Sequence, residues 1–164
     1  MLEGPFARRD KEPSEQAVVA DKIPHAHLFG IAHIRDVRLP CGTFTARQQE
    51  DDDETKALDF LALYLPMKGL SLAFDVGSYP FGSFESAPAW RAAVDEWFLQ
   101  LLRSQRGAFT FEGAVIGFDQ SLTLSEVTLL RARHISTDRF EGVVLPGDRE
   151  LEWYPPTRHD LFAV

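Results

Sequence analysis

The sequence predicts an α+β fold in which a mainly antiparallel sheet is packed by one long amphipathic helix. Three observations predict it. Runs of β-type residues recur at 57–65, 70–76 and 109–118, a helical apolar stripe fills 87–105, and two short apolar runs flank Pro146-Gly147-Asp148-Arg149. With 164 residues the chain is one domain in size and can bury roughly two-thirds of its unfolded surface. Residues 1–16 are polar and proline-containing and read as an N-terminal arm, with a single domain over 17–164.

In order along the chain, His27–Val37 alternates as a strand, with Phe29, Ile31, His33, Arg35 and Val37 on one face. Pro40-Cys41-Gly42 is expected to break it. Residues 43–47 could add a short β segment before a polar loop at 48–55. Ala57–Leu65 is almost continuously apolar and short, which favours a central strand. Lys68-Gly69 then turns the chain into a second strand, 70–76.

The helix is expected from about 87 to 105, with Ser86 as N-cap and Pro88 in the first turn. Trp90, Val94, Trp97 and Leu101 form its apolar stripe, widened by Phe98 and Leu102. Arg91, Asp95 and Arg103 mark the opposite, solvent-facing side, and Gly107 fits a stop. Phe109–Phe118 reads as a third core strand with Gly113 as a candidate bulge. Residues 121–135 fit either a strand or a short helix at about 124–133, and the capping box Thr123-Leu-Ser-Glu126 favours the helix. A terminal hairpin, Arg139–Leu145 with Glu150–Tyr154, closes the fold.

Composition narrows the function classes. The formal charge is −8, and residues 50–100 hold three Lys/Arg against ten Asp/Glu, so the acidity is concentrated there. Such a field repels nucleic acid and anionic membranes and steers a basic protein. No run of eighteen apolar residues suggests a membrane span, and Met1–Asp10 has no signal-peptide core. One cysteine, Cys41, excludes an internal disulfide, so a cytoplasmic location is expected.

The motifs that carry chemistry are sparse. His25 and His27 share a strand face, but zinc needs three or four ligands. His33 lies about 20 Å further along a strand at ~3.3 Å per residue, so no metal site is expected. Cys41 beside Pro40 and Gly42 reads as a small apolar residue. Gly82-Ser83-Phe84-Glu85-Ser86 lacks the closing glycine of a nucleophile elbow, and no glycine-rich phosphate loop occurs, so no cofactor is expected. Carboxylates are abundant (Asp75, Asp95, Glu96, Glu112, Asp119, Glu126). Asp75 and Glu112, inside apolar runs, are the best placed for acid–base work if burial raises their pKa.

The sharpest charge feature is Glu50-Asp51-Asp52-Asp53-Glu54, five consecutive acids. It reads as a solvated loop or as a docking surface for a basic protein, and it lacks the ligand alternation of a calcium loop. In the loop 78–84, Tyr79, Phe81 and Phe84 either cap the core or anchor an interface.

The chain resembles the small acidic immunity proteins that bacteria make alongside secreted toxins. Size, acidity and α+β layout carry the likeness, with the stretch from Phe60-Leu-Ala-Leu-Tyr-Leu-Pro66 to Trp97 and the terminal run Arg139–Pro155. The resemblance implies an inhibitor that occludes a toxin's basic site and carries over no binding residue. On the charge and loop readings above, Glu50, Asp51, Asp52, Asp53 and Glu54 would supply steering and Tyr79, Phe81 or Phe84 an apolar anchor. Two other readings stand beside it. One is a small enzyme or ligand-binding domain with a pocket between helix and sheet, using Asp75 or Glu112. The other is an accessory subunit of a larger assembly.

Overall fold

Alternating side chains need a partner strand for each backbone edge, and the first part of the chain supplies one in a four-stranded meander. A computed structural model of the protein describes residues 2–8, 28–50, 53–82, 86–108, 110–118 and 124–159. The fold is α+β and divides into two compact units, Met1–Ala73 and Phe74–Val164. The sequence had suggested one domain over 17–164.

In the first unit, strands β1 (Leu2–Arg8), β2 (Leu28–Ile34), β3 (Val37–Glu50) and β4 (Asp53–Tyr64) pair antiparallel in that order. β1 thus lies within the segment whose polarity suggested an arm. Ala32 and Ile34 of β2 and Leu39 and Cys41 of β3 are buried, and register places them on one face (Ala32↔Leu39, Gly30↔Cys41). The other face carries aromatic contacts of Phe44 with Phe60 and Tyr64, at centroid distances of 6.5 and 6.3 Å. A Cβ on Gly42 would stand 2.5 Å from the Tyr64 ring, so glycine is what lets that ring lie across the strand.

Several expectations are corrected here. The strand expected through Val37 ends at Ile34, because Arg35 turns the chain in a left-handed conformation (φ 55°). Pro40-Cys41-Gly42 does not break β3. β4 pairing begins only at Gly42↔Tyr64, so Pro40 sits where β3 has no β4 neighbour to miss its absent N–H. The polar loop expected at 48–55 is largely strand, with Glu50 and Asp53 as register partners.

The strand expected at 70–76 is instead helix α1 (Met67–Ala73). The amide of Leu70 donates to the Pro66 carbonyl at 3.1 Å, starting a helical turn where a hairpin was read. Leu70 is buried and Leu72 is 83% exposed, a contrast two residues apart that a one-sided strand would not give.

The second unit opens with the aromatic loop and then α2 (Ala89–Gln105), β5 (Ala114–Ile116), α3 (Leu124–Arg131), β6 (Gly142–Pro146) and β7 (Leu151–Tyr154). Its sheet has the order β5-β6-β7, all antiparallel. β6 is therefore central, and Gly142 to Leu145 are buried. Leu99 of α2, Ile116, Val144 and Leu151 form the core, with Phe98, Leu102 and Trp153 packed against it. The helix and the terminal hairpin occur as expected, and 124–131 is helical, although Thr123 of its capping box lies outside the described residues.

Details differ again. Pro88, not Ser86, occupies the cap position of α2, with no side-chain cap. The helix ends at Arg106 in ordinary helical geometry rather than on a glycine stop. The third strand shrinks to three residues, with Gly113 ahead of it against Leu145.

Trp153 lies over Gly142, where an added Cβ would fall 1.8 Å from the indole. Gly142→Ala is expected to cost about 1–3 kcal/mol by overpacking. Gly107→Ala, with nothing within 4 Å, is expected to be neutral or to stabilise by up to about 1 kcal/mol. Urea denaturation of both variants checks this, and equal midpoints would refute the packing argument.

Candidate functional site

A cleft of ≈ 230 Å³ opens within the second unit, between one face of α2 and a second wall made of Phe140 before β6, Trp153 in β7 and the segment after β7. Helical spacing builds the first wall, since Pro88, Arg91, Ala92, Asp95, Glu96 and Leu99 recur at three- and four-residue intervals. Ala87 and Ala92 leave room there. The other wall is Phe140, Trp153, Pro155, Pro156, Arg158 and His159, with Tyr79 contributed by the aromatic loop.

Behind this wall lies a buried charge network. Arg91 and Asp95 are 6% and 8% exposed. Arg91 Nε donates to Asp95 Oδ1 at 2.7 Å, a second nitrogen donates to the Tyr79 hydroxyl, and Nη2 donates to the Ile116 carbonyl at 3.1 Å. The guanidinium carbon stands 5.7 Å from the Tyr79 centroid and 6.0 Å from that of Phe140. The two rings are stacked 5.7 Å apart, and Trp90 meets Tyr79 edge-on at 4.9 Å. Burial pushes the Asp95 carboxyl above its usual range, opposed by the charge and hydrogen bond of Arg91. It also raises the Tyr79 phenol, where Arg91 again opposes.

These two charges were read as solvent-facing from their position opposite the Trp90–Trp97 stripe. The structure overturns that. The aromatic loop and Phe140 cover this side of α2, so the helix is buried on two faces near its start. The i,i+4 spacing of Arg91 and Asp95 was the available signal. Its burial depended on Tyr79 from the preceding loop and on Phe140 from the far side of α3.

The other expected site residues distribute as follows. Glu50 and Asp53 are paired backbone positions at the closed end of the β3–β4 hairpin, and Glu54 follows in β4. Asp51, Asp52 and Phe84 lie outside the described residues. Tyr79 is buried, so it caps the core and is no exposed anchor, whereas Phe81 is 65% exposed with its ring 6.0 Å from Phe118.

Asp75 and Glu112 are exposed, and neither lines the cleft. Glu112 accepts from Arg131 Nε at 2.7 Å, and Asp75 from the Gly77 amide at 3.3 Å. Their candidacy as desolvated acid–base groups therefore falls, because alternation inside a strand does not apply where neither residue is in one. Cys41 is buried, and burial raises its thiol pKa. His25, His27, Ser83 and Asp119 lie outside the described residues. Among the described residues no three His, Cys, Asp or Glu are grouped to hold a metal, and no helix is long and apolar enough to cross a membrane.

No protein-family model matches the chain, and no curated protein or solved structure was found to match it.

Removing one member of the buried pair strands the other. Arg91→Met is expected to destabilise by about 3–5 kcal/mol, and Arg91→Met combined with Asp95→Leu to recover much of that. Equilibrium denaturation of the two single variants and the double variant tests it, and additive losses would count against coupling. The raised Asp95 pKa adds a pH dependence. Its favourable contribution is complete below the ordinary value of 3.8 and is lost as pH rises through the folded value. The stability difference between Asp95→Asn and the parent should therefore move in the variant's favour across that rise. A difference that is flat with pH would contradict the assignment.

Proposed function

We propose that the chain is a protein-binding inhibitor of the immunity type, which acts in the cytoplasm and neutralises a cognate bacterial toxin by covering its basic site. The observation that carries this reading is the position of the acidic run. Glu50 and Asp53 are register partners at the last pairing of β3 with β4, so the described backbone positions of the run lie at one end of the ladder. A ladder running from Gly42↔Tyr64 to Gln49↔Ala57 supports that end. Dense like charge on a β scaffold costs stability through self-repulsion, and its physical return is long-range attraction for an oppositely charged surface. Phe81, 65% exposed beside the helix-bearing loop, supplies an apolar contact of the kind that anchors such interfaces.

A ligand-binding reading has one observation in its favour, the cleft of the second unit. The carboxylates first assigned to it, Asp75 and Glu112, are not there.

The inhibitor reading is tested by replacing Glu50–Glu54 with serine and measuring binding to the purified product of the adjacent reading frame. The association rate of the parent is expected to fall steeply as salt rises through physiological strength, where the screening length is about 8 Å. The variant is expected to associate about tenfold or more slowly at low salt with a flatter salt dependence. Unchanged rate and unchanged slope would remove the acidic run from the interface.

A further inference from the structure

We propose that the cleft of the second unit receives a guanidinium or ammonium side chain, an arginine or lysine presented by the basic partner. This rests on the inhibitor reading and names a second contact of that interface. The first argument is size. A volume of ≈ 230 Å³ is below the roughly 300–1,000 Å³ of pockets that hold drug-sized ligands, and suits a single side chain.

The second argument is the lining. While Tyr79 and Phe140, 8% and 1% exposed, form the floor, Trp153 supplies half-buried aromatic surface, whose negative face attracts cations. Phe140 and Tyr79 already do this for the chain's own Arg91, 6.0 and 5.7 Å from its guanidinium carbon. The cleft therefore uses the chemistry of a cation cage whose inner place is filled from within.

The third argument is charge. Asp95 and Glu96 both line the α2 wall. Glu96 accepts from Gln100 Nε2 and Arg103 Nη1 on Oε1, at 3.1 and 3.2 Å, and among the described residues no hydrogen bond reaches its Oε2. Arg91 bonds Asp95 through Oδ1, and among the described residues no hydrogen bond reaches Oδ2. The upward shift of the Asp95 pKa reflects a carboxylate that its surroundings solvate poorly, which a second cation would relieve. Cations also share the lining. Arg91 is engaged by Asp95, Tyr79 and Ile116, and Arg158 lies 3.7 Å from Asp138, while His159 stands at the rim. Residues 74–164 carry thirteen Asp/Glu against eight Arg and no Lys, a balance of −5, so the field around the cleft also favours a positive guest.

The test titrates the full chain with N-acetyl-arginine amide, N-acetyl-lysine amide and the neutral isostere N-acetyl-citrulline amide, reading the Trp153 indole N–H by NMR. The charged probes are expected to shift it saturably and to bind about tenfold more tightly than citrulline. Asp95→Asn and Glu96→Gln should each weaken the arginine probe and not the citrulline one. Glu96 is exposed, so Glu96→Gln keeps the test open if Asp95→Asn fails to fold.

Equal binding of citrulline and arginine, or no saturable shift with any probe, would overturn the proposal. It is overturned as to source if the probes bind but toxin affinity is indifferent to Glu96→Gln and Asp95→Asn. Failure here combined with a slowed association on replacing residues 50–54 removes the cleft and leaves the inhibitor reading intact. An unaltered association in that replacement strikes the inhibitor reading instead.

Discussion

One buried guanidinium organises the second unit. Arg91 cannot leave water without replacing its hydration, and the unit is arranged to do so. Asp95 sits one helical turn on, Tyr79 comes from the preceding loop, and the Ile116 carbonyl comes from the short strand β5. The preceding loop and the strand β5 are thus both held to one side chain of α2. The desolvation cost of such a pair rivals its attraction, so its net contribution to stability is small while the loss of either partner is severe. What it determines is arrangement. The aromatic loop lies over α2 because Tyr79 has to meet Arg91, and the cleft exists because that meeting sets Tyr79 and Phe140 beside the helix.

The same use of arginine recurs around the terminal hairpin. Arg106, at the end of α2, donates to the carbonyls of Gly147, Asp148 and Arg149 in the β6–β7 turn. Arg133 reaches Glu152 and the Pro146 carbonyl, and Arg139 reaches the carbonyls of Ser136 and Pro155. A planar fork with several fixed donors can bridge neighbouring carbonyls, which a flexible ammonium does poorly. Residues 74–164 contain no lysine at all. In this half of the chain, positive charge is used to tie backbone turns together.

That pattern bears on how much was readable beforehand. Legible features depended on local signals. The long helix follows from the spacing of Trp90, Val94 and Trp97, and the terminal hairpin from Pro146-Gly147 between apolar runs. Residues 124–131 follow from Leu124, Val127 and Leu130 at helical spacing. What was misread depended on partners elsewhere. Pro40 looked like a strand breaker, yet it lies where β4 has not begun. Leu70 and Leu72 looked like one strand face, yet a single helical turn from Pro66 separates them. Asp95 looked solvent-facing because its cover, Tyr79 and Phe140, comes from either side of it in sequence. The cleft was invisible for the same reason, since Pro155, Pro156, Arg158 and His159 read only as a chain end after the hairpin. A cleft does lie beside this helix, and neither Asp75 nor Glu112 is in its lining.

The internal use of arginine also bears on where the positive charge within a formal balance of −8 is placed. An exposed lysine would be free to meet an incoming anion and to blunt the attraction of a cation. Arg106 and Arg139 are held by neutral carbonyl oxygens and keep their full charge, so their positions are fixed and their field is not removed. Arg91 is enclosed with Asp95, and Arg131 and Arg133 lie against Glu112 and Glu152, so each of these pairs is close to neutral at a distance. The net surplus of carboxylates sets the field that reaches beyond the first water layers, and that field falls off within a screening length of about 8 Å at physiological salt. Among the described residues of the second unit, arginine therefore stands where it ties turns to helix and strand, which fixes the places of positive charge without reducing it.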